Sequence, residues 1–176
     1  MKRFLLSLIS VALFGCSSFS SKDETMKTVA QVDIQKFMGD WYVLAGRFTP
    51  FEKEVHNAVE VYTWNEKEQR IDIGFTYNKG SFDGKVKSIP QKGWIHNQTT
   101  KAHWKVSPFW PLKLDYLIVG LAEDYSWTAI GVPDQSYLWI MARSPENAEA
   151  TVKRAVEALQ AVGYKSDELV TVPHKK

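Results

Sequence analysis

Alternation with a period of two dominates the middle of this chain, and a helical period follows it, so the pattern predicts a run of strands closed by one helix. The clearest strand is Arg70 to Asn78, where Ile71, Ile73, Phe75 and Tyr77 oppose Asp72, Gly74, Thr76 and Asn78. Trp41 to Thr49 and Ala58 to Trp64 read as strands before it, the second with Val59, Val61 and Thr63 on one face. Gly84 to His96, broken by Pro90, and Lys101 to Val106 are weaker, whereas Asp115 to Ala122, Trp127 to Val132 and Tyr137 to Arg143 are well marked. Turn formers separate them at Asn78-Lys79-Gly80, Asn97-Gln98, Glu123-Asp124 and Pro133-Asp134. Ahead of the first strand, Asp33 can cap a short helical turn, Ile34 to Met38, that Gly39 ends. Eight strands on short turns form an antiparallel meander, and closing it into a barrel removes its unpaired edges.

The helix follows the last barrel strand. Ser144 stands as its N-cap, Pro145 takes the first helical position, and Glu146 and Glu149 suit the positive end of the dipole. Ala148, Val152, Ala155, Val156 and Leu159 make one apolar stripe that Gly163 stops. A single stripe buries a single face, so the helix packs on the outside of the sheet. Glu168 to Val172 then reads as a short final strand.

The beginning of the chain is of another kind. Lys2 and Arg3 precede an apolar run from Phe4 to Phe14, about half of the ~20 residues that span a bilayer. This is the pattern of an export signal. It closes on Leu13-Phe14-Gly15-Cys16, which resembles the lipobox of bacterial lipoproteins. That resemblance implies a signal peptide over residues 1–15, a diacylglyceryl group on the Cys16 thiol and an acylated new amino terminus. Ser17 at the next position resembles an outer-membrane address, with the protein on the periplasmic face. Residues 16–31 then form a lipidated, polar, flexible tether, and 32–176 the folded domain.

Composition narrows the function. Cleavage before Cys16 removes 15 of the 176 residues and leaves 161, enough for one domain with a real core. The 22 lysines and arginines fall to 20 with the loss of Lys2 and Arg3, against 20 acidic residues, so no basic surface argues for nucleic acid. Cys16 is the only cysteine, which excludes an internal disulfide and leaves stability to packing. Seven Trp, seven Tyr and nine Phe supply much of that packing.

Three motifs in order carry a family resemblance: Phe37-Met38-Gly39-Asp40-Trp41-Tyr42, Glu123-Asp124-Tyr125, and Leu138-Trp139-Ile140-Met141-Ala142-Arg143-Ser144-Pro145. Over about Val32 to Val172 the chain resembles the lipocalins, and among them the bacterial lipocalins close to apolipoprotein D. The resemblance implies an all-β fold: an eight-stranded up-and-down antiparallel barrel, a short N-terminal helical turn and one C-terminal α-helix packed outside. It also implies that Gly39, Trp41, Asp124, Tyr125 and Arg143 meet at a closed base, with Arg143 across the Trp41 indole. Their role would be structural.

A barrel plugged at one end opens at the other, where the odd-numbered connections lie. Phe51, Phe82, Phe109 and Trp110 fall in those loops and mark a cavity mouth. Alternation counted from Trp41 turns Val43 and Ala45 inward, with Val59, Val61, Phe75, Tyr77, Trp104, Val106, Tyr116, Ile118, Trp139 and Met141 as further cavity candidates. Pattern alone does not distinguish a filled barrel from a hollow one; the family resemblance implies a hollow one. Such a lining suits fatty acids or lysophospholipids, in envelope lipid storage, transport or maintenance under stress, with no cofactor.

Two other readings compete. A lipid-anchored adaptor would use the aromatic mouth to contact proteins or a second copy of itself. A lipid-modifying enzyme has less support: His56, His96, His103 and His174 are scattered without metal-ligand spacing. Gly80-Ser81-Phe82-Asp83-Gly84 is no nucleophile elbow, since the serine comes one place early and no helix follows. The expectation is therefore a carrier and not an enzyme.

Overall fold

In the computed structural model, residues 27–52 and 54–175 are described. Among the described residues nine strands occur in chain order: β1 (Gly39–Arg47), β2 (Val55–Asn65), β3 (Arg70–Lys79), β4 (Val86–Ile95), β5 (His103–Ser107), β6 (Leu114–Leu121), β7 (Trp127–Gly131), β8 (Leu138–Ala142) and β9 (Val170–Thr171). Each of the first seven pairs antiparallel with the next, and β1 pairs with both β2 and β8, which closes an eight-stranded barrel. The ninth strand adds to β1 through Ala45↔Thr171 and Gly46↔Val170. Helix α1 (Ile34–Phe37) precedes the barrel, and α2 (Ala148–Ala161) lies against its outer wall.

Two apolar clusters follow from the alternation. Inside the barrel, Ile71, Ile73, Phe75 and Tyr77 of β3 meet Trp41, Tyr62, Trp104, Ile118 and Met141. Outside, Leu44, Leu117, Trp127, Leu138 and Ile140 pack beneath Ala155 and Leu159 of α2. Leu44 and Ile140 therefore carry the helix, while their strand neighbours Val43 and Met141 face the interior.

Three local expectations are corrected. Strand β4 runs unbroken through Pro90, which sits opposite Gly74 of β3. Pairing of β4 with β5 begins only at Lys92, so the N–H that proline lacks is not needed for a ladder bond there. Helix α2 begins at Ala148 and not at Pro145, because Asn147 takes a left-handed φ of 54° that a continuing helix cannot contain. Ser144 instead accepts the Glu146 N–H in a tight turn. The docked chain also starts earlier than residue 32: the Val29 N–H donates to the Ile118 carbonyl at 2.9 Å, and the Lys27 ammonium reaches the Val162 carbonyl at 2.7 Å.

Candidate functional site: an apolar cup above an aromatic floor

The base assembles from short-range contacts. Asp33 caps α1 by accepting the N–H groups of Gln35 and Lys36. The cap holds the Phe37 carbonyl where the Trp41 indole donates to it at 2.8 Å. The Arg143 guanidinium lies 3.8 Å from the centre of the Trp41 ring and donates to the carbonyls of Lys36, Phe37 and Asp40. Gly39 has φ of 95°, and a Cβ there would come 3.3 Å from that guanidinium. Tyr125 accepts the Asp33 N–H at 2.8 Å, and Asp124 accepts that of Ser126. Its bonds from Ser126 hold the Asp124 carboxyl below the usual range.

Above this base the barrel is filled by side chains. Phe37, Trp41, Tyr62 and Trp104 are buried against one another, with ring centres 5.1–5.4 Å apart from Phe37 to the other three. Trp104 stacks flat on Tyr116 at 5.2 Å. Tyr116 is thus the top of the floor.

Over the floor opens a cavity of about 940 Å³, toward the upper end of the roughly 300–1,000 Å³ usual for small-molecule sites. Its walls are Ile73, Phe75, Ile89, Val106, Ile130, Trp139 and Met141, and its rim includes Pro50, Pro108, Phe109, Leu112, Leu114 and Tyr137. The rim lies on the connections β1–β2, β5–β6 and β7–β8, so the mouth is at the expected end. A separate cleft of about 710 Å³ at the closed end is edged by Gln31, Gln35, Gln69, Gln98 and Lys101, polar groups that suit water better than an acyl chain.

Of the residues expected to line the cavity, Phe75, Val106, Tyr116, Trp139 and Met141 do so. Val43, Trp104 and Ile118 face inward but belong to the solid core; Tyr77 also faces inward, packed on Phe75 with ring centres 5.1 Å apart. Val59 and Val61 are corrected to the outer face. They pair with Thr76 and Gly74, while Glu60 and Tyr62 pair with the inward Phe75 and Ile73. Ala45 is also corrected: a bulge between Val43 and Ala45 sets it opposite Ile140, on the helix side.

At the mouth, Phe109 lines the rim and is exposed; Trp110, 80% exposed, is not part of the cavity lining. Phe82 is corrected. It packs edge-on against His56, ring centres 5.0 Å apart, instead of lining the cup. Cys16 and the side chain of Phe51 lie outside the described residues.

The residue that sequence reasoning missed is Glu60. Its carboxyl lines the cavity yet is only 8% exposed. It accepts the Tyr62 hydroxyl, which in turn accepts from Tyr116 at 2.6 Å. Burial pushes the Glu60 carboxyl up from an ordinary 4.5 to about 7, against the Tyr62 hydrogen bond and with help from the charge of Glu52. Burial likewise raises both tyrosine hydroxyls well above their usual range. The signal was present in the aromatic parity: Tyr62 and Trp64 alternate in step with Glu60, and both pack on the inner cluster.

An up-and-down eight-stranded barrel with a plugged base, an apolar cup and one external helix defines the lipocalin class of fold. The family model for the lipocalin-like domain matches residues 32–174, and the chain belongs to that family. It is 27% identical over 176 residues to the outer membrane lipoprotein Blc of Vibrio cholerae, covering 98% of each chain. With the Blc of Escherichia coli it shares 24% over 173 residues, or 96% of each. It is 28% identical to temperature-induced lipocalin-1 of Arabidopsis thaliana over 162 residues, 87% of this chain and 85% of that one. Among solved structures, insecticyanin from the tobacco hornworm Manduca sexta superposes with a TM-score of 0.64 at 13% identity, covering 86% and 85% of the two chains. Lobster apocrustacyanin A1 gives 0.62 at 17%, covering 81% and 79%. These two show the shared fold.

Proposed function

We propose that this protein is a lipid-anchored carrier of single-chain lipids, fatty acids or lysophospholipids, held at the outer membrane through Cys16 and facing the periplasm. The observation that carries the reading is the cup itself: an open cavity walled by aliphatic and aromatic side chains over a closed floor. A sixteen-carbon chain gains on the order of 10 kcal/mol gross by leaving water, at ~0.8 kcal/mol per CH₂. Association costs several kcal/mol of that, which leaves micromolar binding within reach without a salt bridge. The lipoprotein names of the two bacterial relatives support the anchor and the address. Storage, transport or repair of envelope lipid follows from a carrier tied beside its ligand.

Mass spectrometry of protein extracted from its own membrane under native conditions tests this. A single-chain lipid at near one per protein is expected. Lipid-free protein that self-associates through Phe109 and Trp110 would instead favour the adaptor, the reading for which those exposed rings speak.

A further inference from the structure

The carboxylates around the cavity are not alike. Both oxygens of Glu52 are engaged: Thr49 donates to one through its N–H and hydroxyl, and the Trp139 indole donates to the other at 3.0 Å. Asp115 is held by Lys105 and His103, each at 2.5 Å. Asp134 receives the N–H and hydroxyl of Ser136. Glu60 differs. Tyr62 is its one hydrogen-bond partner among the described residues and takes Oε2, which leaves Oε1 without a donor at the bottom of an apolar cup. No lysine, arginine or histidine is found among the described residues that line the cavity.

We propose that Glu60 selects the ligand: its free oxygen receives a hydrogen-bond donor, an ammonium or a hydroxyl, at the buried end of a single-chain amphiphile, and it turns away a carboxylate or phosphate presented to the floor. The proposal rests on the carrier reading above and narrows it: a fatty acid or lysophospholipid must keep its anionic group at the mouth, and a chain that brings an ammonium or hydroxyl to the floor binds better.

Oε1 opens to the cavity, where water can reach it; a ligand that displaces that water must supply a donor of its own or leave the acceptor unpaired at a cost. An ionised head group of the same sign does the opposite: two carboxylates in one dry site cannot both stay charged. The groups facing Glu60 reinforce this. Tyr62 on its own strand and Tyr116 of β6 are neutral hydroxyls, and Glu52 from the β1–β2 connection adds negative charge. Its cross-strand neighbours, Trp41 of β1 and Phe75 of β3, carry no charge. Arg143 is occupied by the Trp41 ring and three carbonyls. Above neutrality Glu60 is ionised and pairs best with an ammonium. Below it the protonated form loses that attraction but still bonds a hydroxyl.

Three twelve-carbon probes separate the chemistries: dodecylamine, dodecanol and dodecanoate, each displacing a neutral fluorescent probe. The protein is the mature chain, residues 16–176, carrying Cys16→Ser so that no detergent competes. At pH 8.5 dodecylamine should bind the otherwise wild-type chain at least tenfold more tightly than the Glu60→Gln variant, and dodecanoate more weakly than that variant. Dodecanol should change less than threefold. The amine is cationic at pH 5.5 as well, so loss of its advantage there in the chain with Glu60 reports the carboxyl without relying on any Glu60 variant to fold. Equal amine affinity at both pH values and in both proteins overturns the proposal, while dodecanol binding in that case keeps the carrier reading. Failure of all three to displace the probe removes both.

Discussion

Arg143 lies 3.8 Å above the ring of Trp41 and bonds three carbonyls around it, so one side chain fastens the end of the barrel to the turn that plugs it. Burial lowers the guanidinium's pKa from its ordinary value, but it stays charged at any physiological pH. Arg143→Ala should destabilise the fold by about 2–4 kcal/mol, from the lost cation–π contact and the stranded carbonyls. Arg143→Lys should recover only part of this, since an ammonium cannot both cover the indole and span three acceptors. Urea unfolding midpoints measure both; an alanine variant as stable as the wild type would remove the fastening role.

Glu60 gives stability an unusual pH dependence. Its folded pKa stands near 7 and its ordinary value is 4.5, so ionising it opposes folding. Its cost is absent below pH 4.5, grows between 4.5 and 7, and is complete above that, amounting to about 3 kcal/mol at 1.36 kcal/mol per unit. Asp72, Asp115, Asp124 and Asp134 act with the opposite sign and at lower pH, because their pKa values are depressed. The difference between wild type and Glu60→Gln isolates the one group. The variant should be the more stable at pH 8, with its relative advantage shrinking as pH falls through 7 toward 4.5. A constant difference across that window would mean Glu60 is not held near neutrality.

The strand order, the turns and the plugged base were legible because each depends on local chemistry: period two, turn-forming residues, and a cap at Asp33. The inner face of β2 was not. Val59 and Val61 read as core because they are apolar and β-branched, yet the partner strand turns Glu60 inward, a long-range fact that the charge conceals. Ala45 failed for a different reason, since a bulge shifts the alternation beyond it and nothing in Val43-Leu44-Ala45 announces one. Whether the barrel is filled or hollow also escaped the pattern. The answer is both, solid below Tyr116 and open above it.

The corrected parity makes a paired prediction. Trp139→Arg places a long cation in the cup beside Glu52 and should weaken binding of a neutral apolar fluorescent probe at least tenfold. Val61→Arg, on the outer face and 37% exposed, should leave that affinity within twofold. If Val61→Arg also abolishes binding, the assignment of the faces of β2 is wrong.

Trp110 offers its ring to solvent, while Phe109 beside it lines the rim. Exposed aromatics at a mouth suit contact with a bilayer surface. Trp110→Ala should alter stability by no more than about 0.5 kcal/mol, as surface changes do. Ligand affinity in solution should also hold, while transfer of lipid from vesicles slows severalfold. Unchanged transfer would leave the exposed ring without a role in membrane contact.

The proposed anchor at Cys16 would act through the length of chain that joins it to the barrel. Val29 is already hydrogen-bonded to Ile118 of β6, so at most the twelve residues Ser17 to Thr28 separate Cys16 from the docked chain. Twelve residues reach about 40 Å when extended. The docked chain begins beside Val162 at the C-terminal end of α2, and Tyr164 just beyond it hydrogen-bonds Val132 on the mouth side. A lipid anchor joined there, with that reach, would let the open end meet the membrane without the barrel inverting. Radiolabelled palmitate should therefore enter the wild type and not Cys16→Ala. Deleting Ser20 to Thr25 should keep the label and the affinity measured in solution, yet slow uptake of lipid from the anchoring membrane. Equal uptake by the shortened chain would show that Cys16 serves as an address alone.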